Sequence, residues 1–330
     1  MDTSTSYLGM RLPHPFMAGA SPFGHTLDAV KRLEDAGWSA VVLHSLFEEQ
    51  ITADHDGCIR HMDPSDTLFA EELAYFPHAD DYPLGPDTYA EHISRLKRAV
   101  SIPIIGSLNG TSPESWLKFG RIIEQAGADA LELNLYEVVT NLAMPGEAVE
   151  ARLVGIVSEV RDILKIPIAV KVSPFFTAFG NMARRLDAAG AGAIVLFNRF
   201  YQPDIDIKTL APIVNVRLSD SSELRLRLQW LAVLYGRVRP SLAVSGGVST
   251  PDDGIKAILA GADAVQIVSA LLRHGPTHVD AMRGGLERWM EWHHFDRLDE
   301  ARGRASLERV ADTETFERAQ YIRTLQSWLS

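Results

Sequence analysis

The chain has 330 residues, 46% hydrophobic and 23% charged, with a formal net charge of −11 and a single cysteine, Cys58. The acidic balance excludes a general nucleic-acid binder, which needs a basic face, and one cysteine excludes a disulfide framework, a Cys-rich metal site or an iron–sulfur ligand set. No apolar run approaches the about 18 residues of a membrane span, and the opening MDTSTSYLGMRLPHPF carries no basic-then-apolar leader, so a cytoplasmic protein without membrane or nucleic-acid partners is expected.

The first strand lies in HPFMAGA at 14–20, entered from a proline, and the amphipathic segment 27–36 after it reads as a helix. That helix ends in DAGWSA at 35–40, and VVLHS follows as strand two. The two kinds of entry then alternate along the chain. IPIIGSL at 102–108, IPIAVKV at 166–172 and RPSLAVSG at 239–246 are entered from a proline, which marks the loop before a strand. QAGADA at 125–130, AAGAGA at 188–193 and LAGADA at 259–264 lead instead into LELNL, IVLFN and VQIVS. The glycines of this second phrase, Gly37, Gly127, Gly190 and Gly261, stand where a helix ends in the left-handed conformation. The runs after them are short and apolar, as buried parallel strands are.

Helices are expected at 27–36, 88–100, 113–126, 147–164, 175–189, 223–237, 251–260 and 279–290. Eight strands alternating with eight helices define an α/β fold, a single (β/α)8 TIM barrel. The barrel is expected to span 1–296, with 297–330 as a C-terminal helical extension packed on it or on a partner subunit. Two connections are long, 45–87 after strand two and 198–222 after strand six, and IVNVRLSD in the second could add a small hairpin. Both follow C-terminal strand ends, where barrel enzymes build their sites, so both read as substrate-covering segments.

The stretch 241–275 is a strand, a paired-glycine turn, a helix, a second strand and a further turn. Gly246 and Gly247 remove side chains that would keep backbone N–H groups from an anion, and Ser269–Ala270 can add donors from the next strand end. This reads as the phosphate grip of a cofactor; a tight strand-to-helix turn is the plain alternative. Other strand ends add Gly19, Ala20, Ser21, His44, Ser45, Ser107, Asn109, Glu132, Asn134, Ser173 and Asn198 to one mouth. Lys171 lies within the apolar run IAVKVS, where a lysine is expensive unless it meets an anion or polar ligand. It reads as a cation for a reduced cofactor or an amine for a Schiff base, against a structurally paired or outward-facing lysine.

AGASP (18–22), VVLHSLFEEQI (41–51), SLNG (107–110), ELNLY (132–136), VKVSP (170–174), FNRF (197–200), SGGV (245–248) and QIVSAL (266–271) occur in order. On these segments the chain resembles the dihydroorotate dehydrogenase family of FMN-dependent barrels, its soluble branch, over about residues 5–290. The resemblance implies FMN, with its phosphate on Gly246, Gly247, Val248, Ser269 and Ala270 and its ring near Gly19, Ala20, Ser21 and Ser45. Lys171 would stabilise charge at the ring's N1/O2 edge, Asn109 and Asn134 would bond the flavin, and His44, Asn134 and Asn198 the substrate.

The implied activity is hydride transfer between flavin and a small pyrimidine-like substrate, from dihydroorotate to orotate or a related CH–CH reaction. With no iron–sulfur ligand set or nicotinamide-binding fold on this chain, either would require a redox partner protein, and the acidic, aromatic-studded tail points to a homodimer. Two features depart from the family. Its soluble members carry NxSCPN after strand four, with a cysteine base, and its membrane-linked members use serine there. Here Glu137 stands at that point with Tyr136 beside it, both expected as catalytic, the carboxylate acting as a base if desolvated. His44 replaces the family's lysine after strand two. Alternative readings are a flavin-bound electron-relay subunit without a substrate base, and a phosphate-binding Schiff-base lyase or aldolase using Lys171. The stretch 55–63 has metal-ligand residue types at a spacing that fits no closed site, so no metal is expected and a polar lid is. Cys58 within it reads as incidental, with a displaced catalytic base as the alternative.

Overall fold

A computed structural model describes residues 1–48, 85–110, 112–199, 204–213, 217–308 and 310–327. Eight parallel strands close into a barrel in the order β11-β12-β3-β4-β5-β6-β7-β8. These are β3 (Phe16–Ala18), β4 (Val41–Phe47), β5 (Ile104–Asn109), β6 (Ala130–Asn134), β7 (Ile168–Val172), β8 (Ala193–Leu196), β11 (Ser241–Ser245) and β12 (Ala264–Ile267). Around them run α1 (Leu27–Ala36), α2 (Pro86–Ala99), α3 (Pro113–Gln125), α4 (Gly146–Ile163), α5 (Phe179–Ala188), α6 (Leu224–Leu234), α7 (Pro251–Ala260), α8 (Ser269–His274) and α9 (His278–His293). The expected (β/α)8 barrel is what the chain forms. Among the described residues no helix is long and apolar enough to cross a membrane.

The recurring phrase has a physical reading at each of its letters. Gly37, Gly127, Gly190 and Gly261 have φ of 89°, 94°, 92° and 119°, the left-handed conformation expected of helix ends. Asp129 accepts a bond from the Ile104 amide at 2.8 Å, and Asp263 accepts one from the Leu242 amide at 2.8 Å, so each clamps the start of the neighbouring strand. The closing alanines, Ala40, Ala130, Ala193 and Ala264, are fully buried in one cluster inside the barrel with Ala169 and Ala243. Six alanines leave this end of the barrel wide, and the chain fills it with its own N-terminus. β1 (Thr5–Tyr7) and β2 (Met10–Leu12) form an antiparallel hairpin whose Tyr7, Leu8 and Leu12 enter the same cluster. Nothing in the sequence pattern had pointed to this plug.

Several expectations shift. The helix expected from 175 begins at Phe179, because Ser173 and Phe175 are still engaged in a turn through the Ser173 hydroxyl. A hairpin does follow the sixth barrel strand, pairing β9 (Asp204–Asp206) with β10 (Ala211–Ile213); of IVNVRLSD, Ile213 belongs to it and residues 214–216 lie outside the described residues. In the C-terminal extension, Arg302 is buried and bonds Asp263, Asp299 and Thr5, which fastens this segment to the base of the barrel. The helix α10 (Thr313–Gln326) buries no residue, and Tyr321, Ile322 and Leu325 are exposed. The long connection after strand two, with 55–63 and Cys58, lies outside the described residues.

Candidate active site

The C-terminal ends of the barrel strands carry the polar side chains. Asn109 donates to the Asn134 carbonyl at 2.7 Å, and Asn134 donates to Ser45 Oγ at 3.1 Å. Ser45 and Ser107 share a hydrogen bond of 2.8 Å. The β4–β5 register shifts between Val42 and Ser45, and the Tyr89 hydroxyl occupies that shift, donating to the His44 carbonyl and accepting from the Ser107 amide. The bulge turns Ser45 into the site, while the His44 ring packs against Tyr89 and His25. On the neighbouring side Asn198 donates to the Lys171 carbonyl at 3.2 Å. Two buried side-chain oxygens at this mouth, Ser21 Oγ and Asn134 Oδ1, have no hydrogen-bond partner among the described residues.

Lys171 is buried, as expected, but it meets a protein anion. Its Nζ lies 3.3 Å from Glu132 Oε1, while Gln266 Nε2 donates to Glu132 Oε2 at 2.5 Å. Glu132 and Asn134 sit two residues apart on one strand and so face the same side, the barrel interior. Burial and the nearby His25 and His92 hold the His44 imidazole well below the usual histidine range, so it is neutral at pH 7. The His25 and His44 rings meet edge to face at 4.6 Å.

The glycine turn is built to stay open. Gly246 and Gly247 have φ of 83° and 80°. A Cβ on Gly247 would fall 2.6 Å from the Leu224 amide nitrogen, at the first residue of α6. A Cβ on Gly246 would fall 2.8 Å from Arg227 Nη2. Arg227 is buried and ties the turn down through Nε to the Ser245 carbonyl at 2.5 Å. Ser219 bridges the two strand ends, bonding Ser269 Oγ at 2.9 Å and receiving the Gly247 amide at 3.3 Å. Val248, Ser269 and Ala270 are buried beside it. On the adjoining strand end, after β3, Gly19 admits no side chain, since a Cβ would lie 2.7 Å from Val268 Cγ2.

Glu137 stands apart from this set. Its carboxylate is held by both oxygens to Arg152 Nη2, at 2.6 and 2.5 Å, with 39% of its side chain exposed. It lines an open cleft of about 540 Å³ with Val138, Val149, Leu153 and Phe175, between α4 and the turn after β7. The desolvation on which its role as a base was conditional is therefore not what this geometry provides. Tyr136 is half-buried at the rim, its carbonyl accepting from Asn109 at 3.3 Å. Among the described residues no group of three or more metal-ligating side chains gathers.

Roles that the sequence reading missed belong to Glu132, Gln266, Ser219, Tyr89 and Arg227. For Glu132 a signal existed, because a charged residue alternating with Asn134 in an apolar strand must share its face. For Arg227 none did, since LRLRLQ reads as an ordinary half-exposed helix.

A closed barrel whose strand ends converge polar and unpartnered groups at the C-terminal mouth is the construction of a barrel enzyme. The family model described as dihydroorotate dehydrogenase matches residues 83–290, and the chain belongs to that family. It is similar to the catalytic subunit of dihydroorotate dehydrogenase B (NAD(+)) of Thermoplasma volcanium, 27% identical over 306 residues, covering 92% of this chain and 98% of that one. It is also similar to the NAD-dependent dihydropyrimidine dehydrogenase subunit PreA of Escherichia coli K12, 24% identical over 351 residues, covering 97% and 80%. The chloroplastic dihydropyrimidine dehydrogenase (NADP(+)) of Arabidopsis thaliana is 26% identical over 334 residues, covering 92% and 76%. All three are dehydrogenases, and the chain is an oxidoreductase.

Proposed function

We propose that the chain is an FMN-dependent oxidoreductase acting on a CH–CH bond of a small dihydropyrimidine, dihydroorotate or a relative of it. The observation that carries this reading is the pair of unpartnered buried oxygens on Ser21 and Asn134. Each costs about 1–3 kcal/mol if left unsatisfied, so the mouth is energetically incomplete without a polar ligand. The geometry around them fits FMN. Gly19 presents bare backbone against which a ring can lie, and at the Gly246–Gly247 turn the Ser219 hydroxyl, which receives the Gly247 amide, stands beside Ser269 as a further polar group for a phosphate.

In this reading Gly246, Gly247, Val248, Ser269 and Ala270 hold the phosphate, and Gly19, Ala20, Ser21, Ser45, Asn109 and Asn134 hold the ring. Bound FMN would supply the hydride-accepting chemistry. Lys171 places positive charge at the edge of the ring where reduction adds negative charge. Asn134 and Asn198 offer both donor and acceptor to a pyrimidine ring, and the neutral His44 presents a hydrogen-bonding group without charge. Tyr136 and Glu137 are the proton-transfer candidates by position; Glu137 must first release Arg152. Two relatives, one a catalytic subunit and one a subunit of a dehydrogenase, support a redox partner protein. A homodimer remains part of the proposal.

The test is an absorbance spectrum after incubation with FMN, then anaerobic addition of dihydroorotate and, separately, of 5,6-dihydrouracil. A yellow protein bleached by one of them is the expected result. A protein that takes up no flavin refutes the reading. The electron-relay alternative is favoured by one observation, the Glu137–Arg152 pair that occupies the candidate base. It predicts a yellow protein that neither compound bleaches.

A further inference from the structure

Inside the barrel, below the polar mouth, a lysine and a glutamate are buried together. Glu132 is 1% exposed and the Lys171 side chain 11%. Burying either charge alone would cost several kcal/mol, so each accounts for the other's presence. The pair is loose. At 3.3 Å it is longer than the about 2.7–2.9 Å typical of charge-assisted bonds, because Glu132 shares its other oxygen with Gln266 at 2.5 Å. Lys171 has three donors, so a single long bond to Glu132 leaves capacity for a ligand above it. Glu132 is the sole carboxylate within ion-pair distance of Lys171 among the described residues.

We infer that Glu132 is a positioning residue that sets how much of the Lys171 charge reaches the flavin, and through it the flavin's reduction potential. The inference rests on the proposal that FMN binds at this mouth. Reduction adds negative charge at the ring edge that Lys171 is placed to meet. A carboxylate behind the ammonium offsets part of that attraction and favours the oxidised cofactor. Gln266 takes part by holding one carboxylate oxygen away from the lysine. Of the three side chains, one supplies the positive charge, one attenuates it, and one fixes the attenuation.

The experiment compares the midpoint potential of FMN bound to the wild type and to Glu132→Gln, measured by equilibration with a reference dye during photoreduction. The substitution keeps the shape and the bond to Lys171 and removes the negative charge. The ratio of affinities for reduced and oxidised FMN should rise at least about tenfold, which for a two-electron couple is an upward shift of about 30 mV. A role confined to packing would weaken both redox states alike and leave the potential where it was. If Glu132→Gln holds FMN and its potential is unchanged or lower, the inference is wrong. If that variant does not hold FMN, Gln266→Met decides. It frees the carboxylate to close on Lys171, and the potential should fall; no change or a rise overturns the inference. A wild type that binds no FMN at all refutes instead the proposal on which the inference rests.

Discussion

At the scale of single residues the site depends on positions where no side chain fits. Gly247 is the sharpest of them, with φ of 80° and the Leu224 backbone 2.6 Å from where a Cβ would stand. Backbone cannot swing aside as a flexible side chain does, so Gly247→Ala has to shift the turn or the start of α6. We expect a stability loss of about 1–3 kcal/mol, read from the urea midpoint of the apoprotein. FMN affinity should fall at least about tenfold in a fluorescence titration, while riboflavin, which lacks the phosphate, loses less. Equal losses for both would mean that the turn does not hold the phosphate. Lys171 is instructive in a different way. Its burial in an apolar strand was a sound reason to look for an anion, yet the anion within reach is Glu132 of the same chain. Strand-to-strand register brings them together, and register is not written in either strand.

At the scale of elements, the recurring phrase accounts for both what could be read in advance and what could not. The positive φ of Gly37, Gly127, Gly190 and Gly261 follows from a helix that must stop and turn into a strand. The closing alanines carried a second message, that one end of the barrel is lined with small side chains and needs filling. The filler is not legible in advance because β1 and β2 are three residues each and the alanines they pack on lie far along the chain. A one-strand pattern is too short there to show a period. Glu137 was placed at the base position by alignment of motifs, and only the fold shows Arg152 of α4 reaching across to it. The prediction at this scale concerns the plug. Ala193→Leu adds three carbons to a fully buried site already shared with Tyr7 and Leu12, and overpacking of that kind costs about 1–3 kcal/mol. The urea midpoint should drop with little change in slope; an unchanged midpoint would mean the hairpin leaves the base of the barrel unfilled.

At the scale of the whole molecule, acid should weaken the fold before it protonates most carboxylates. His14 and His25 are lowered to about 4, chiefly by burial, and burial also depresses His44 and His92. His14 shows why: the Phe16 amide donates to its Nδ1, which leaves Nε2 to donate to the Gly37 carbonyl at 2.8 Å, so the ring is locked in one neutral form. For His14 and His25 the unfolded chain takes up a proton near pH 6.5 and the folded chain only near 4, so their stabilisation is complete above 6.5 and drains away towards 4. For His14 alone this amounts to about 3 kcal/mol. Asp263, whose carboxyl burial pushes up, works in the opposite direction and tempers the loss. Melting temperatures should therefore fall steadily from pH 7 to 4.5, and His14→Asn should flatten part of that slope. A flat profile in the wild type would show that these histidines titrate normally.

The barrel closes where β12 pairs with β3, and the same seam is stitched at its base by Asp2 against Arg297 and by Thr5 against Arg302. Both halves of the seam come from opposite ends of the polypeptide. β3 ends at Ala18 and β12 begins at Ala264, so a nascent chain carries its plug and first strand with one edge unmatched until that late strand emerges. Closure waits for β12, and an unpaired edge held open that long is the kind that invites misassociation during synthesis.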